Sequence, residues 1–333
     1  MTIGRRAVLT GAAGLFAAAS AGAQQWGDPA TPAGGDPSAP LWPAKESARL
    51  WPGAAPGAPR PLPVFNPTMN GPPGRRELWL RGVAVPELLV FRPARPDGSA
   101  LLSIPGGGYQ FVSVQNEGLD VAQRFTASRT TVFVLVYRLP GEGWSNRHLV
   151  PLQDAQRAMR LIRHGARGFG IDPARLGAIG FSAGGHLAGD LAVAHAERTY
   201  APVDAADQQS ARPAYVGLVY PVTTLRSRGP NSGSMEALVG VNPTPAVTDA
   251  RSPVLRVGRD TPPAFLVHSL DDPVVPLENS LDWIAASRTA GVQVEAHLFA
   301  AGGHGYGVQM MAPDLPAARW PDLFAAWMRK NGG

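Results

Sequence analysis

The chain has 333 residues, of which 44% are hydrophobic and 17% charged, with a formal net charge of +5 and no cysteine. That length holds one large α/β domain or two ordinary ones, and so low a charge density excludes gross disorder. The missing cysteines exclude disulfides, thiolate metal sites, cysteine nucleophiles and a lipidated N-terminal cysteine. The positive charge is spread thinly, with no Lys/Arg run and no aromatic-basic stripe, which argues against nucleic acid as a partner.

Residues 1–23 read as a secretory signal peptide: Arg5 and Arg6 form a basic start, an Ala/Leu/Val/Phe stretch follows, and Ala21-Gly22-Ala23 is a small-x-small cleavage site. The apolar run is about half of the ~20 residues a membrane span needs, so no stable anchor is expected after cleavage. The arginine pair suggests the twin-arginine route, with Gly4 and Val8 departing from its usual pattern, and general secretion is the alternative. The expected location is periplasmic or extracellular. Removal of the two arginines takes the formal charge from +5 to +3.

Residues 24–74 hold 13 of the 34 prolines. Proline fixes φ and removes donors, so this stretch reads as a linker without regular elements, its second half an extended strap that Trp42, Trp51 and Phe65 would hold. From residue 75 to 333 the sequence reads as one catalytic domain. "ELWLRGV", "ELLVFRP", "ALLSI", "TTVFVLVYRL", "LGAIGFS", "AYVGLVYPV", "AFLVHSL" and "VEAHLFA" are strand-like, and the β-branched run at Thr130–Leu139 suits a strand buried on both faces. Helical patterns lie between them at Gly118–Ser128, Pro151–Gly165, Ala183–Arg198, Pro276–Ala290 and Leu315–Asn331. The alternation predicts an α/β fold with a mostly parallel sheet flanked by helices.

One pentapeptide carries chemistry. Gly180-Phe181-Ser182-Ala183-Gly184 is a G-x-S-x-G. In a chain with 39 glycines its context must decide, and here it joins a strand to a helix, as a nucleophile elbow requires. A serine hydroxyl needs a base oriented by an acid, in the chain order Ser, Asp/Glu, His. Five histidines follow Ser182. His186 and His195 fall on the next helix, where packing or solvent contact is the expectation, and His268 and His297 fall inside apolar strands, where a core position is the expectation. His304, in the glycine-rich loop "AAGGHGYG", is the expected base. Asp271 and Asp272 both follow the preceding strand, and the residues alone do not choose between them. The Ala183 N–H is an expected oxyanion donor, with a second from the loop in "LLSIPGGGYQF". The competing reading there is a phosphate loop, which lacks its Lys-Ser/Thr ending and any G-x-G-x-x-G helix start. Glu117 reads as a favourable charge at a helix N-terminus. Scattered histidines and the lack of H-E-x-x-H imply no metal and no cofactor.

Taken together, "PGGGY", "YRLP", "PLQDAQRAMRLIRHGARGFGIDPARLGAIGFSAGGHLA", "LVHSLDDPVVP" and "GGHGYG" resemble secreted bacterial α/β-hydrolase carbohydrate esterases, such as acetyl-xylan esterases, near the hormone-sensitive-lipase-like group. The resemblance implies a serine esterase with an α/β-hydrolase fold, Ser182, Asp272 and His304 as catalytic residues, and Gly107 and Gly108 as oxyanion donors beside Ala183. Asp272 fits the D-x-x-V-P pattern and Asp271 does not. Pro105 stands where the family has His, which bears on loop geometry. A large helical cap is not evident; only Thr223–Thr261, with a short helix at Met235–Gly240, offers a small lid. The implied partner is a small-molecule or oligosaccharide ester, with Tyr109, Trp144 and Tyr306 as candidate substrate-stacking rings. The competing readings are a serine exopeptidase on the same fold and an inactive carbohydrate-binding homologue.

Overall fold

Hydrophobic runs in chain order pair into two sheets in the computed structural model, which describes residues 31–34, 36, 38–40, 44–71, 75–226, 232–310 and 312–331. The signal-peptide reading and Trp42 lie outside the described residues. The strands are β1 (Thr31–Pro32), β2 (Ser47–Arg49), β3 (Asn66–Asn70), β4 (Glu77–Arg81), β5 (Glu87–Phe91), β6 (Ala100–Ile104), β7 (Thr131–Val136), β8 (Leu176–Phe181), β9 (Val216–Val219), β10 (Ala264–Ser269) and β11 (Val294–Phe299). The helices are α1 (Asp120–Thr126), α2 (Val150–His164), α3 (Ala166–Phe169), α4 (Ala183–Ala194), α5 (Ser232–Val239), α6 (Pro245–Ala250), α7 (Glu278–Ala290) and α8 (Trp320–Asn331).

The main sheet has eight strands in the order β11-β10-β9-β8-β6-β7-β5-β2. The six from β11 to β7 run parallel, while β5 is antiparallel to β7 and β2 is antiparallel to β5. Helices flank it, as the alternation predicts. Every residue of β7 is buried, which fits its Val/Phe/Leu run covered on both faces. β6 is followed in the chain by β7 on one side and then by β8 on the other. The gap between β6 and β8 is therefore a topological switch point, and the loops at the carboxyl ends of these two strands face a shared crevice. Gly106–Gly108 leave β6 there, and Ser182 leaves β8.

The proline-rich segment is more regular than its composition suggests. β2 extends the main sheet, and β3 forms a second sheet in the order β1-β3-β4. The expectation that no regular element fits here is corrected, and register gives the reason. Pro67 stands opposite Leu80, whose N–H and C=O both bond to Val112 on the other side of β4. That pairing asks no donor of the proline. Trp51 is buried and its indole N–H donates to Asp154 in α2 at 2.8 Å, whereas Phe65 is 48% exposed and holds nothing down. Asp154 also accepts from Arg138, just after β7, and neither side chain reaches solvent. Arg138 lies over the Trp51 and Trp144 rings and donates to the Pro56 carbonyl. The "YRLP" and "PLQD" motifs thus meet as one buried ion pair roofed by the segment that precedes the main strands.

Candidate active site

Ser182 sits between β8 and α4 with φ 53° and ψ −118°, a positive φ that a non-glycine residue holds only under constraint. The constraint is visible in its neighbours. A Cβ on Gly180 would stand 2.1 Å from the Gly184 carbonyl oxygen, and one on Gly184 would stand 2.1 Å from the Ile104 carbonyl oxygen. Glycine two residues either side of the serine is therefore a steric requirement of the turn. The serine side chain is lifted out of the sheet, with Ser182 9% exposed.

The Ser182 Oγ lies 2.9 Å from His304 Nε2, and His304 Nδ1 lies 2.7 Å from Asp272 Oδ2. His304 is carried by the loop after β11, and Asp272 by the loop after β10. The second carboxylate oxygen of Asp272 accepts the N–H groups of Val274 and Val275 at 2.8 and 2.9 Å. Burial pushes the Asp272 carboxyl up, but hydrogen bonds from His268 and His304 outweigh it and hold the carboxyl down at about 2. Asp271 has a different place: its carboxylate accepts the Gly303 N–H at 2.8 Å and so braces the turn before His304.

Gly107 and Gly108 have φ of 116° and 62°, which brings the loop after β6 over Ser182. A Cβ on Gly106 would lie 3.0 Å from the Ser182 Cβ. The N–H groups of Gly107, Gly108 and Ala183 meet no hydrogen-bond acceptor among the described residues, while that of Gly106 is engaged by Glu117. Beside this loop a groove of about 480 Å³ is lined by Tyr109, Gln110, Leu139, Glu142, Arg147 and Glu236. Its far wall is α5, longer than the expected Met235–Gly240 turn, and α6 follows in the same Thr223–Thr261 segment.

Three sequence expectations need correction. Glu117 stands in the first turn of the helical segment Gln115–Leu119, as expected, but that end is not open: its side chain is buried and bonded to Gly106 and Tyr220. His297 is not a core histidine. It is half-buried on β11, 3.1 Å from Glu295. The candidate stacking rings Tyr109, Trp144 and Tyr306 are only 1, 4 and 3% exposed. The Tyr109 hydroxyl pairs with His186 Nδ1 at 2.7 Å, the Trp144 ring lies beneath Arg138, and Tyr306 packs edge-on against Tyr220. Burial to this degree leaves too little ring surface for stacking on a sugar.

His186 is buried, as expected, and burial lowers its pKa to about 4, so it stays neutral between Tyr109 and the Arg251 carbonyl. His268 is buried too, yet it is more than packing. Its Nε2 lies 3.1 Å from Asp272 Oδ2 and 3.0 Å from the Val275 carbonyl, and Ser280 Oγ lies 2.6 Å from its Nδ1. Both partners of Nε2 are acceptors, so that nitrogen carries the hydrogen and Ser280 donates to the other. The carboxylate that faces His304 is thus shared by two imidazoles, which only the fold reveals. Among the described residues no cluster of His, Asp or Glu could hold a metal ion.

A strained serine between strand and helix, a histidine and a carboxylate in line behind it, and free N–H groups across the switch point define an α/β-hydrolase. The family model described as BD-FAE matches residues 90–286. The chain belongs to that family of α/β-hydrolase esterases. It is 29% identical over 225 residues to an acetylxylan esterase of Xylanibacter ruminicola, covering 66% of this chain and 44% of that protein. It is 37% identical over 205 residues to endo-1,4-beta-xylanase B of Butyrivibrio fibrisolvens, covering 62% of this chain and 32% of that one. The chain therefore spans less than half the length of these two relatives. The crystal structure of an acetyl ester-xyloside bifunctional hydrolase from Caldicellulosiruptor lactoaceticus superposes with a TM-score of 0.71 at 32% identity, over 87% of this chain and 97% of that one.

Proposed function

We propose that this protein is an exported serine carboxylesterase that removes acetyl groups from xylan or related acetylated oligosaccharides. The observation that carries the reading is the continuous relay from Ser182 Oγ through His304 to Asp272 at the elbow. His304 Nε2 takes the Ser182 proton as Oγ attacks the ester carbonyl, and Asp272 holds the imidazole by its Nδ1–H and stabilises the imidazolium. The free N–H groups of Gly107, Gly108 and Ala183 receive the oxyanion. The imidazolium gives its proton to the departing sugar oxygen, which leaves as a free hydroxyl as the C–O bond breaks, and an acyl-serine remains. Water, deprotonated by the same imidazole, attacks that acyl group, and acetate leaves as Ser182 regains its proton.

The acetyl-xylan assignment is supported by the relatives named acetylxylan esterase and xylanase. Export is supported by the signal pattern of residues 1–23, and no helix among the described residues is long and apolar enough to cross a membrane. The test is release of acetate from acetylated xylan beside hydrolysis of p-nitrophenyl acetate, ferulate esters and aminoacyl anilides. Turnover of acetates is expected, with acetylated xylan the best substrate. Preference for ferulate would overturn the acyl assignment, and preference for anilides would overturn esterase function. The exported protein is expected to begin at Gln24 on N-terminal sequencing.

A further inference from the structure

The wall behind the oxyanion loop holds a buried acid that the ester-hydrolysis steps do not use. Glu117 Oε2 accepts the Gly106 N–H at 2.7 Å, and Glu117 Oε1 accepts the Tyr220 hydroxyl at 2.7 Å. The Tyr220 oxygen in turn accepts the Gly307 N–H at 3.0 Å. Gly106 lies against Ser182, and Gly307 is three residues beyond His304. The neighbouring Asn116 reinforces the span by donating to the Gly305 carbonyl at 2.7 Å. Tyr220 holds a φ of 37°, strained for a tyrosine, and its ring lies 4.7 Å from that of His304. One unbroken chain of hydrogen bonds thus joins the loop that would receive the oxyanion to the loop that carries the base.

We propose that Glu117, as a carboxylate, is a positioning residue that fixes the oxyanion loop and the histidine loop relative to each other through Tyr220. The inference rests on the esterase reading above. Hydrogen-bond inventory gives the reason for the ionised form. Gly106 and Tyr220 both donate, and only a carboxylate accepts from both without offering a proton of its own. A neutral Glu117 must donate to Tyr220, which strands the tyrosine hydrogen with no acceptor inside a buried site. The groups facing Glu117 are Gly106 and the Tyr137 hydroxyl near Pro105 on the oxyanion side, Tyr220 after β9, Glu77 on β4, and His304 beyond the Tyr220 ring. Burial raises the Glu117 pKa to about 7, with hydrogen bonds from Tyr220 and Gly106 opposing that rise and Glu77 adding to it. Burial raises Tyr220 well above its ordinary value, so it remains a donor. The switch between the two inventories therefore falls in the neutral range.

The test is steady-state hydrolysis of p-nitrophenyl acetate by wild type, Glu117→Gln, Tyr220→Phe, the double variant and Ser182→Ala, each from pH 5 to 9. Glutamine keeps the shape but is permanently neutral. At pH 8 each single variant is expected to lose about 10- to 100-fold in kcat, with KM within about threefold, as misplaced catalytic loops do. The double variant is expected to fall no further than the worse single. The acid limb of kcat/KM is expected to approach a slope of two in wild type and one in Glu117→Gln. Folded Glu117→Gln with wild-type kcat, losses that multiply in the double variant, or an unchanged slope would overturn the proposal. Should Glu117→Gln fail to fold, Tyr220→Phe, which removes one oxygen, decides by the same criteria. Ser182→Ala separates the two readings: if it stays active the nucleophile assignment falls, and if it is dead beside a fully active Glu117→Gln only the positioning role falls.

Discussion

Two adjacent aspartates show how much one hydrogen bond decides. Asp271 and Asp272 share a turn, yet Asp272 faces the imidazole and Asp271 faces a backbone N–H. Asp272→Asn is expected to cut kcat by about 10⁴-fold, because the amide presents the wrong partner to His304 Nδ1. Asp271→Asn is expected to cost less than about tenfold, since the lost contact only braces the loop. Parallel kcat measurements on p-nitrophenyl acetate check the pair, and equal losses would contradict the assignment. The elbow itself was legible before the fold, because G-x-S-x-G between a strand and a helix has a steric cause that the Gly180 and Gly184 contacts display. His268 was not. It reads as an apolar-strand histidine, and nothing in the sequence says that its ring turns back onto a carboxylate four residues later. The burial of Glu117 was equally hidden, because its partner Tyr220 lies far away in the chain.

At the scale of elements, alternating apolar runs placed the eight strands from "ELWLRGV" to "VEAHLFA" and the main helices, since periodicity is a local property. What escaped was pairing. β2 and β3 are short, proline-flanked and weakly patterned, and their strand character comes from partners on β5 and β4. The buried pair of Arg138 and Asp154 ties β7, α2 and that early segment together through Trp51 and Pro56. Truncation of one partner leaves an uncompensated buried charge. Asp154→Ala is therefore expected to lower unfolding free energy by about 3–5 kcal/mol in urea titrations. A loss below about 1 kcal/mol would mean that the early segment and α2 are not held by this charge pair.

Across the whole molecule, the buried acids set how stability follows pH. Burial raises Glu117 to about 7 and Asp190 to about 6, with Arg251 opposing the rise at Asp190, and burial also raises Asp120 to about 6. These groups bind protons more tightly in the folded chain than in the unfolded one. Between their unfolded and folded pKa values, stability therefore rises as pH falls from about 7 toward about 5. Asp272, held at about 2, works the other way: its contribution is complete above its ordinary value of 3.8 and is lost as pH falls toward 2. Thermal unfolding is expected to show its highest Tm near pH 5, on the acid side of the activity optimum. A Tm that climbs steadily from pH 5 to 8 would contradict the assignment of these buried carboxyls.

In the proposed reaction Ser182 is the nucleophile and His304 its base. The most direct test of these roles is intact-mass and peptide analysis after treatment with a fluorophosphonate. One adduct per chain is expected, on the peptide bearing Ser182, absent in Ser182→Ala and strongly slowed in His304→Ala. An adduct on another residue, or unchanged labelling in Ser182→Ala, would contradict the account.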